Sequence, residues 1–157
     1  MMRLWRIATV AASYPCDDMS GKGVETTGGR WNKVGTPVVY TSGSIALAAL
    51  ETIVHLNAGS LPLNRVLVEI SVPNNVWKKR LIHTSKSLAV GWNVLPEGMV
   101  SLELGTSWAA QLRTALLQVP SVIVPEEFNI LLNPRHPEAK RICAKKLRVF
   151  HYDSRRL

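Results

Sequence analysis

The chain is expected to fold as a single α+β domain, with a mixed or antiparallel sheet and flanking helices. Three observations predict this class. Short segments of strand character outnumber long helical ones, and the two kinds are interspersed rather than strictly alternating. The 157 residues suit one compact domain, taken as residues 1–157, and leave little room for a second. Hydrophobic residues make up 46% of the chain, enough for a core, with no internal repeat or low-complexity stretch.

The elements follow in order. Residues 2–7 read as an opening strand. Residues 13–29 are rich in Gly, Ser, Asp and Thr and read as a long loop. Residues 37–41, β-branched and aromatic, form a short strand. Ser44 is placed to cap a helix running to about Asn57, with Gly59 just past its end. Its residues are apolar nearly all round, which predicts a buried helix. Val66, Val68, Ile70 and Val72 alternate on one face of a strand, and residues 75–82 are expected to pair with it as a more exposed strand. Residues 91–98 read as loop. Thr106 is the expected cap of a second helix, with Trp108, Leu112, Ala115 and Leu116 on one stripe. Residues 120–124, 128–132 and 147–152 complete the strands, the second of them stopped by Asn133-Pro134.

Composition narrows the function classes. The formal net charge of +8 favours an anionic partner, although a solvated basic surface explains it equally well. Much of that charge is C-terminal: Lys140, Arg141, Lys145, Lys146, Arg148, Arg155 and Arg156. Two Cys without metal-ligand spacing, and four scattered His, point away from a disulfide framework or a metal site. The apolar run at residues 7–12 is shorter than a signal-peptide core, and no stretch is long enough to span a bilayer, so a soluble cytoplasmic protein is expected. Neither Gly-x-Gly-x-x-Gly nor a Walker lysine motif is present.

Five features could carry chemistry. Gly28-Gly29-Arg30-Trp31-Asn32 combines a sharp turn with a guanidinium suited to a phosphate; alone, it is as readily a tight turn with a surface Arg. Tyr40, at a strand end, could stack on a flat ring or simply edge the core. Glu51 is the one ionisable residue between Ser44 and Val54. If buried, it needs a partner, for which Arg30 or Arg6 is available, and the pair could be purely structural. Ser121, a small hydroxyl in an apolar strand read as buried, could bond a ligand amide or a backbone carbonyl, and no Gly-x-Ser-x-Gly surrounds it. His136, between Pro134 and Pro137, is a possible base but more simply orders a turn.

Taken in order, these pieces resemble the RES domain. The match runs through Leu4-Trp5-Arg6, Gly28-Gly29-Arg30-Trp31-Asn32, Val39-Tyr40-Thr41-Ser42 and Ala48-Ala49-Leu50-Glu51. It continues through Gly91-Trp92, Gly105, Trp108, Val119-Pro120-Ser121 and Asn129, and closes on Asn133-Pro134-Arg135-His136-Pro137 and Tyr152-Asp153. Residues 13–29 and 84–99 do not align firmly. The resemblance implies a fold like that of ADP-ribosyltransferases and a toxin of a type II toxin–antitoxin pair acting on NAD⁺. It implies NAD⁺ as substrate, with no further cofactor and no metal. The usual partner is an Xre-like helix-turn-helix antitoxin that blocks the active site, so DNA is reached only through the antitoxin.

By analogy, Arg30, Tyr40 and Glu51 are the catalytic residues, and Arg6 and Ser121 contact the substrate. Glu51 would stabilise the ribosyl cation that develops as nicotinamide leaves, or orient the acceptor. Arg30 would hold the pyrophosphate, with Arg6 adding charge, and Tyr40 would stack on the nicotinamide or its ribose. Hydrolysis or phosphorolysis of NAD⁺, depleting the cell, is the leading expectation. Transfer of ADP-ribose to a protein is the alternative. An RNA-binding or RNA-cleaving toxin, suited to the charge and the five Trp, and a noncatalytic partner-binding module are more distant alternatives.

Overall fold

The computed structural model describes residues 1–10, 15–56 and 60–155. Its strands are β1 (Met2–Thr9), β2 (Val39–Ser42), β3 (Arg65–Val72), β4 (Leu81–Ile82), β5 (Leu116–Pro120), β6 (Phe128–Leu132) and β7 (Cys143–Val149). Its helices are α1 (Lys22–Thr27), α2 (Ile45–Ile53), α3 (Asn74–Lys78) and α4 (Met99–Gln111), with a 3₁₀ turn at Pro137–Arg141. One seven-stranded sheet has the order β4-β5-β6-β2-β1-β3-β7. The β4–β5 pair is parallel and the others are antiparallel, so the sheet is mixed, as the sequence predicts. Among the described residues, no helix is long and apolar enough to cross a membrane.

The period of two along the strands builds two different faces. On one face Leu4, Val39, Val66, Val68, Ile70, Val72, Leu116, Ile130 and Leu132 form a continuous core. The other face carries two separate clusters. Trp31, Trp92 and Trp108 pack with Leu117, Val119 and Leu131 over β5 and β6. Ile7, Ala48 and Leu67 pack with Trp5, Phe150 and Tyr152 beneath α2. The division falls where β1 meets β2. Strand β1 pairs with β3 over eight consecutive residues, but with β2 only at Trp5↔Ser42. The sheet opens along that line.

Several local expectations give way to tertiary context. Residues 75–82 do not form a strand beside β3. Pro73 starts the short helix α3 there, and only Leu81 and Ile82 are extended, pairing with β5. The second long helix begins at Met99, so Thr106 lies inside it rather than at its cap. Its hydroxyl instead accepts a hydrogen bond from Lys33 N across the fold. Leu112 ends that helix in a left-handed conformation, φ 53°, which sends Ala115 and Leu116 toward β5. The strand expected at 120–124 lies at Leu116–Pro120, and the last strand starts and ends earlier than 147–152. Within 13–29, α1 interrupts the expected loop.

Helix α2 is capped as expected, Leu47 N donating to Ser44 Oγ, but it ends at Val54. The proposed stop at Gly59 lies outside the described residues. Only Leu47 and Ala48 of α2 are fully buried, because just one side of the helix rests on the sheet.

Candidate active site

A cavity of about 480 Å³ occupies the opening between β1 and β2. Trp5, Arg6 and Ile7 line it from β1, and Tyr40, Thr41 and Ser42 from β2. Glu51 enters from α2, Arg30 from the glycine turn and Asn129 from β6. Four of the five sequence-predicted site residues, Arg6, Arg30, Tyr40 and Glu51, therefore converge on one space. The fifth, Ser121, is fully buried and is not among the lining residues.

The Arg30 turn is built by glycine. Gly28 has φ +72°, the left-handed region that favours glycine. At Gly29 a Cβ would come within 2.8 Å of the Tyr40 hydroxyl, so a side chain there would displace the ring. Gly29 N donates to Asn32 O and closes the turn. Arg30 Nη1 then donates to Trp92 O at 3.1 Å and Val94 O at 3.0 Å, fixing the guanidinium by backbone carbonyls. Those acceptors are neutral, and Arg30 lines the cavity.

Tyr40 holds the same turn from below. Its hydroxyl donates to Asn32 Oδ1 at 2.7 Å and accepts from Trp31 N at 3.0 Å. Asn32 is fully buried, and its amide donates to Val24 O and Thr36 O. Burial pushes the Tyr40 pKa far above the ordinary phenol range, outweighing the opposing hydrogen bond from Trp31 N, and the nearby Glu97 adds to the rise. Tyr40 is thus a neutral anchor, not a base. Its ring forms part of the cavity wall.

Glu51 is held by neutral donors. Ser121 Oγ and Asn129 Nδ2 both donate to its Oε1, each at 2.7 Å. The ion pair with Arg30 or Arg6 expected for a buried acid is not formed among the described residues. Arg6 Nη1 donates instead to Asp18 O at 2.8 Å. The second oxygen, Oε2, accepts no hydrogen bond from the described residues. No buried side-chain oxygen among them is left unpaired, so Oε2 is accessible to solvent, and Glu51 lines the cavity.

Ser121 lies just after β5, where Pro120 ends the ladder. Its hydroxyl accepts from Ile123 N and Val124 N while donating to Glu51. Ser121, expected to contact the substrate, has no exposed surface here and its hydroxyl donates to Glu51. His136 orders a turn, its Nδ1 accepting from Glu138 N. Sequence reasoning missed the roles of Asn32, Ser42 and Asn129, and also His55 and Glu97, which line the cavity. Asn129 did carry a signal: a polar residue two positions before Leu131 on the same strand face.

Among the described residues, no group of three or more His, Cys, Asp or Glu is placed to hold a metal ion. The sequence model of the RES domain matches residues 3–153. A protein of Sphingobium sp. named "Prs ADP-ribosylating toxin" is 58% identical over 151 residues, covering 96% of this chain and 94% of that protein. A protein of Pseudomonas putida named "Toxin Res" is 38% identical over 141 residues, covering 88% of this chain and 89% of its own length. A "Toxin Res" of Yersinia enterocolitica is 35% identical over 135 residues, covering 86% of each chain. With the glycine turn, the pinned acid and this match across nearly its full length, the chain belongs to the RES domain family.

Proposed function

We propose that the chain is a toxin that breaks the nicotinamide–ribose bond of NAD⁺ and passes ADP-ribose to a protein acceptor. One observation carries the reading: Glu51 is fixed through Oε1 by two neutral donors, with Oε2 accessible to solvent, and lines a cavity that Arg30 also lines. As the bond from ribose C1′ to the ring nitrogen breaks, its electron pair stays on nitrogen and nicotinamide leaves neutral. Positive charge builds on the ribose, and a fixed carboxylate stabilises it. The acceptor then bonds to C1′ and releases its proton. Arg30 holds the pyrophosphate, and Arg6, which also lines the cavity, adds charge. The choice of a protein acceptor over water or phosphate rests on the printed name of the 58% identical relative. Hydrolysis or phosphorolysis, placed first on the sequence, uses the same bond cleavage with a different acceptor.

Two further expectations fit this reading. A toxin of this kind requires an antitoxin, for which an Xre-like helix-turn-helix protein covering the cavity is the proposed partner. The RNA alternative is disfavoured by the three tryptophans Trp31, Trp92 and Trp108, which are buried core rather than an exposed stacking surface.

The test uses NAD⁺ labelled in its adenylate part, the purified chain and a bacterial extract. Label on a protein band supports transfer. NAD⁺ loss with only free ADP-ribose, or ADP-ribose carrying an added phosphate, replaces transfer with hydrolysis or phosphorolysis. No NAD⁺ loss refutes the reading.

A further inference from the structure

Asn129 is one of the two donors that hold Glu51, and its own orientation is set in turn by a neighbour. It lies in β6 directly opposite Ser42 of β2, so the two side chains stand on the same sheet face at the cavity. Ser42 Oγ donates to Asn129 Oδ1 at 2.7 Å, and Asn129 Nδ2 donates to Glu51 Oε1 at 2.7 Å. The direction of this relay is fixed by chemistry. An ionised carboxylate only accepts, so the amide must turn its NH₂ toward Glu51 and its oxygen toward Ser42, and the hydroxyl must then donate.

We propose that Asn129, locked in one orientation by Ser42, is a positioning residue that fixes Glu51 through Oε1 and thereby aims Oε2 at the reacting ribose. The proposal rests on the NAD⁺-cleaving reading of the site. Ser121 alone gives one hinge point, about which the carboxylate can rotate. A second donor on the same oxygen, coming from the neighbouring strand, removes that freedom. An amide suits this position. A carboxylate there would face Glu51 across a hydrogen-bond distance, and the two could not both ionise readily. An apolar residue would leave Glu51 with a single donor.

The test compares Asn129→Leu, Asn129→Asp and Ser42→Ala with wild type in steady-state NAD⁺ consumption with a bacterial extract supplying the acceptor, and with thermal melting as the check on folding. Asn129→Leu should lower kcat about 10–100-fold, with KM for NAD⁺ within about threefold of wild type, because the lost interaction acts on the transition state. Ser42→Ala, which frees the amide to flip, should lower kcat by a smaller factor. Asn129→Asp is nearly isosteric and guards against misfolding of the leucine variant. At acidic pH its new carboxyl keeps a proton and donates to Glu51 as the amide does. As pH rises that proton is lost, the donor disappears and the two carboxylates repel. Its kcat should therefore approach wild type at acidic pH and fall as pH rises, a decline absent from the wild type. A merely structural role would not produce that pH profile. Wild-type kcat in Asn129→Leu, or a flat profile in a folded Asn129→Asp, overturns the proposal. Absence of NAD⁺ turnover by the wild type instead overturns the reading beneath it, and the proposal with it.

Discussion

Replacing Glu51 by Gln isolates its charge from its packing. The amide is isosteric with the carboxylate. Its oxygen can occupy the Oε1 position and accept from both Ser121 and Asn129, so no buried donor is left unpaired. Stability should therefore stay within about 0.5 kcal/mol of wild type, as for changes that leave packing and hydrogen bonds intact. What changes is the group facing the cavity, from an anionic oxygen to an NH₂. A carboxylate about 4 Å from a developing cation, at an effective dielectric constant near 20, contributes roughly 4 kcal/mol. That corresponds to a loss of about 10³ in rate. It agrees with the roughly 10²–10³ seen when one preorganised electrostatic contact is removed. The charge is at stake because both partners of Oε1 are neutral and no ion pair to Glu51 is formed among the described residues. The assay is NAD⁺ consumption by the purified variant with a bacterial extract supplying the acceptor, and melting temperature is the control. A folded Glu51→Gln protein retaining turnover within about threefold of wild type would refute the assignment, since that corresponds to less than ~1 kcal/mol. Glu51→Ala gives the complementary result. It leaves the Ser121 hydroxyl and Asn129 amide without their acceptor and should also cost about 1–3 kcal/mol of stability.

Other sites give separable outcomes. Arg30→Lys keeps a positive charge but loses the planar fork now anchored on Trp92 O and Val94 O; KM for NAD⁺ should rise about tenfold with a smaller change in kcat, and an unchanged KM would remove Arg30 from substrate binding. Tyr40→Phe leaves Asn32 Oδ1 and Trp31 N–H without their partner and should cost about 1–3 kcal/mol in a denaturation experiment. The same residue sets a pH dependence. Its folded pKa is raised above the ordinary 10.0, so its contribution is whole below that pH. As pH climbs further the unfolded chain loses the phenol proton first and stability falls; melting curves between about pH 8 and 11 should show this component in wild type and not in Tyr40→Phe. Gly105→Ala would put a Cβ 1.8 Å from Trp31 O. The forced shift of α4 should cost about 3 kcal/mol, a drop of roughly 6–12 °C in melting temperature, and an unaltered Tm would show that the helix packs elsewhere.

The parts of the fold that the sequence revealed are those decided locally. The alternation of Val66, Val68, Ile70 and Val72 marks β3 because one face of that strand is wholly core. Ser44 caps α2 through its own first turn, and Asn133-Pro134 ends β6 at Leu132. Other elements depended on partners distant in the chain. Thr106 has the chemistry of a cap, but its hydroxyl serves Lys33, so the residue type misplaced the start of α4. The site followed the same division. Arg30, Tyr40 and Glu51 stood out as a turn Arg, a strand-end Tyr and a lone acid on an apolar helix. The partners of Glu51 did not stand out, because they depend on register: Asn129 reaches Ser42 only because β6 and β2 pair at that position. Ser121 stood out as a small hydroxyl in a buried strand, but its bond to Glu51 joins residues far apart in the chain and could not be read locally.

The separation of Arg30 from Glu51 is what makes the cavity suited to its proposed substrate. Had they formed the expected ion pair, each would have neutralised the other and little field would remain in the space between β1 and β2. The fold prevents this by supplying each with neutral partners. Arg30 is tied to two backbone carbonyls, and Glu51 is held by a hydroxyl and an amide. Each is oriented by those partners, so one cavity presents a guanidinium and a carboxyl group to the same ligand. NAD⁺ has the matching polarity at the moment of cleavage, an anionic pyrophosphate and a cationic ribose. An arrangement of this kind binds the transition state better than the ground state, because charge on the ribose appears only as the bond breaks. It also explains why polar residues without charge, Asn32, Ser42, Ser121 and Asn129, surround the charged ones: they fix geometry without cancelling the field.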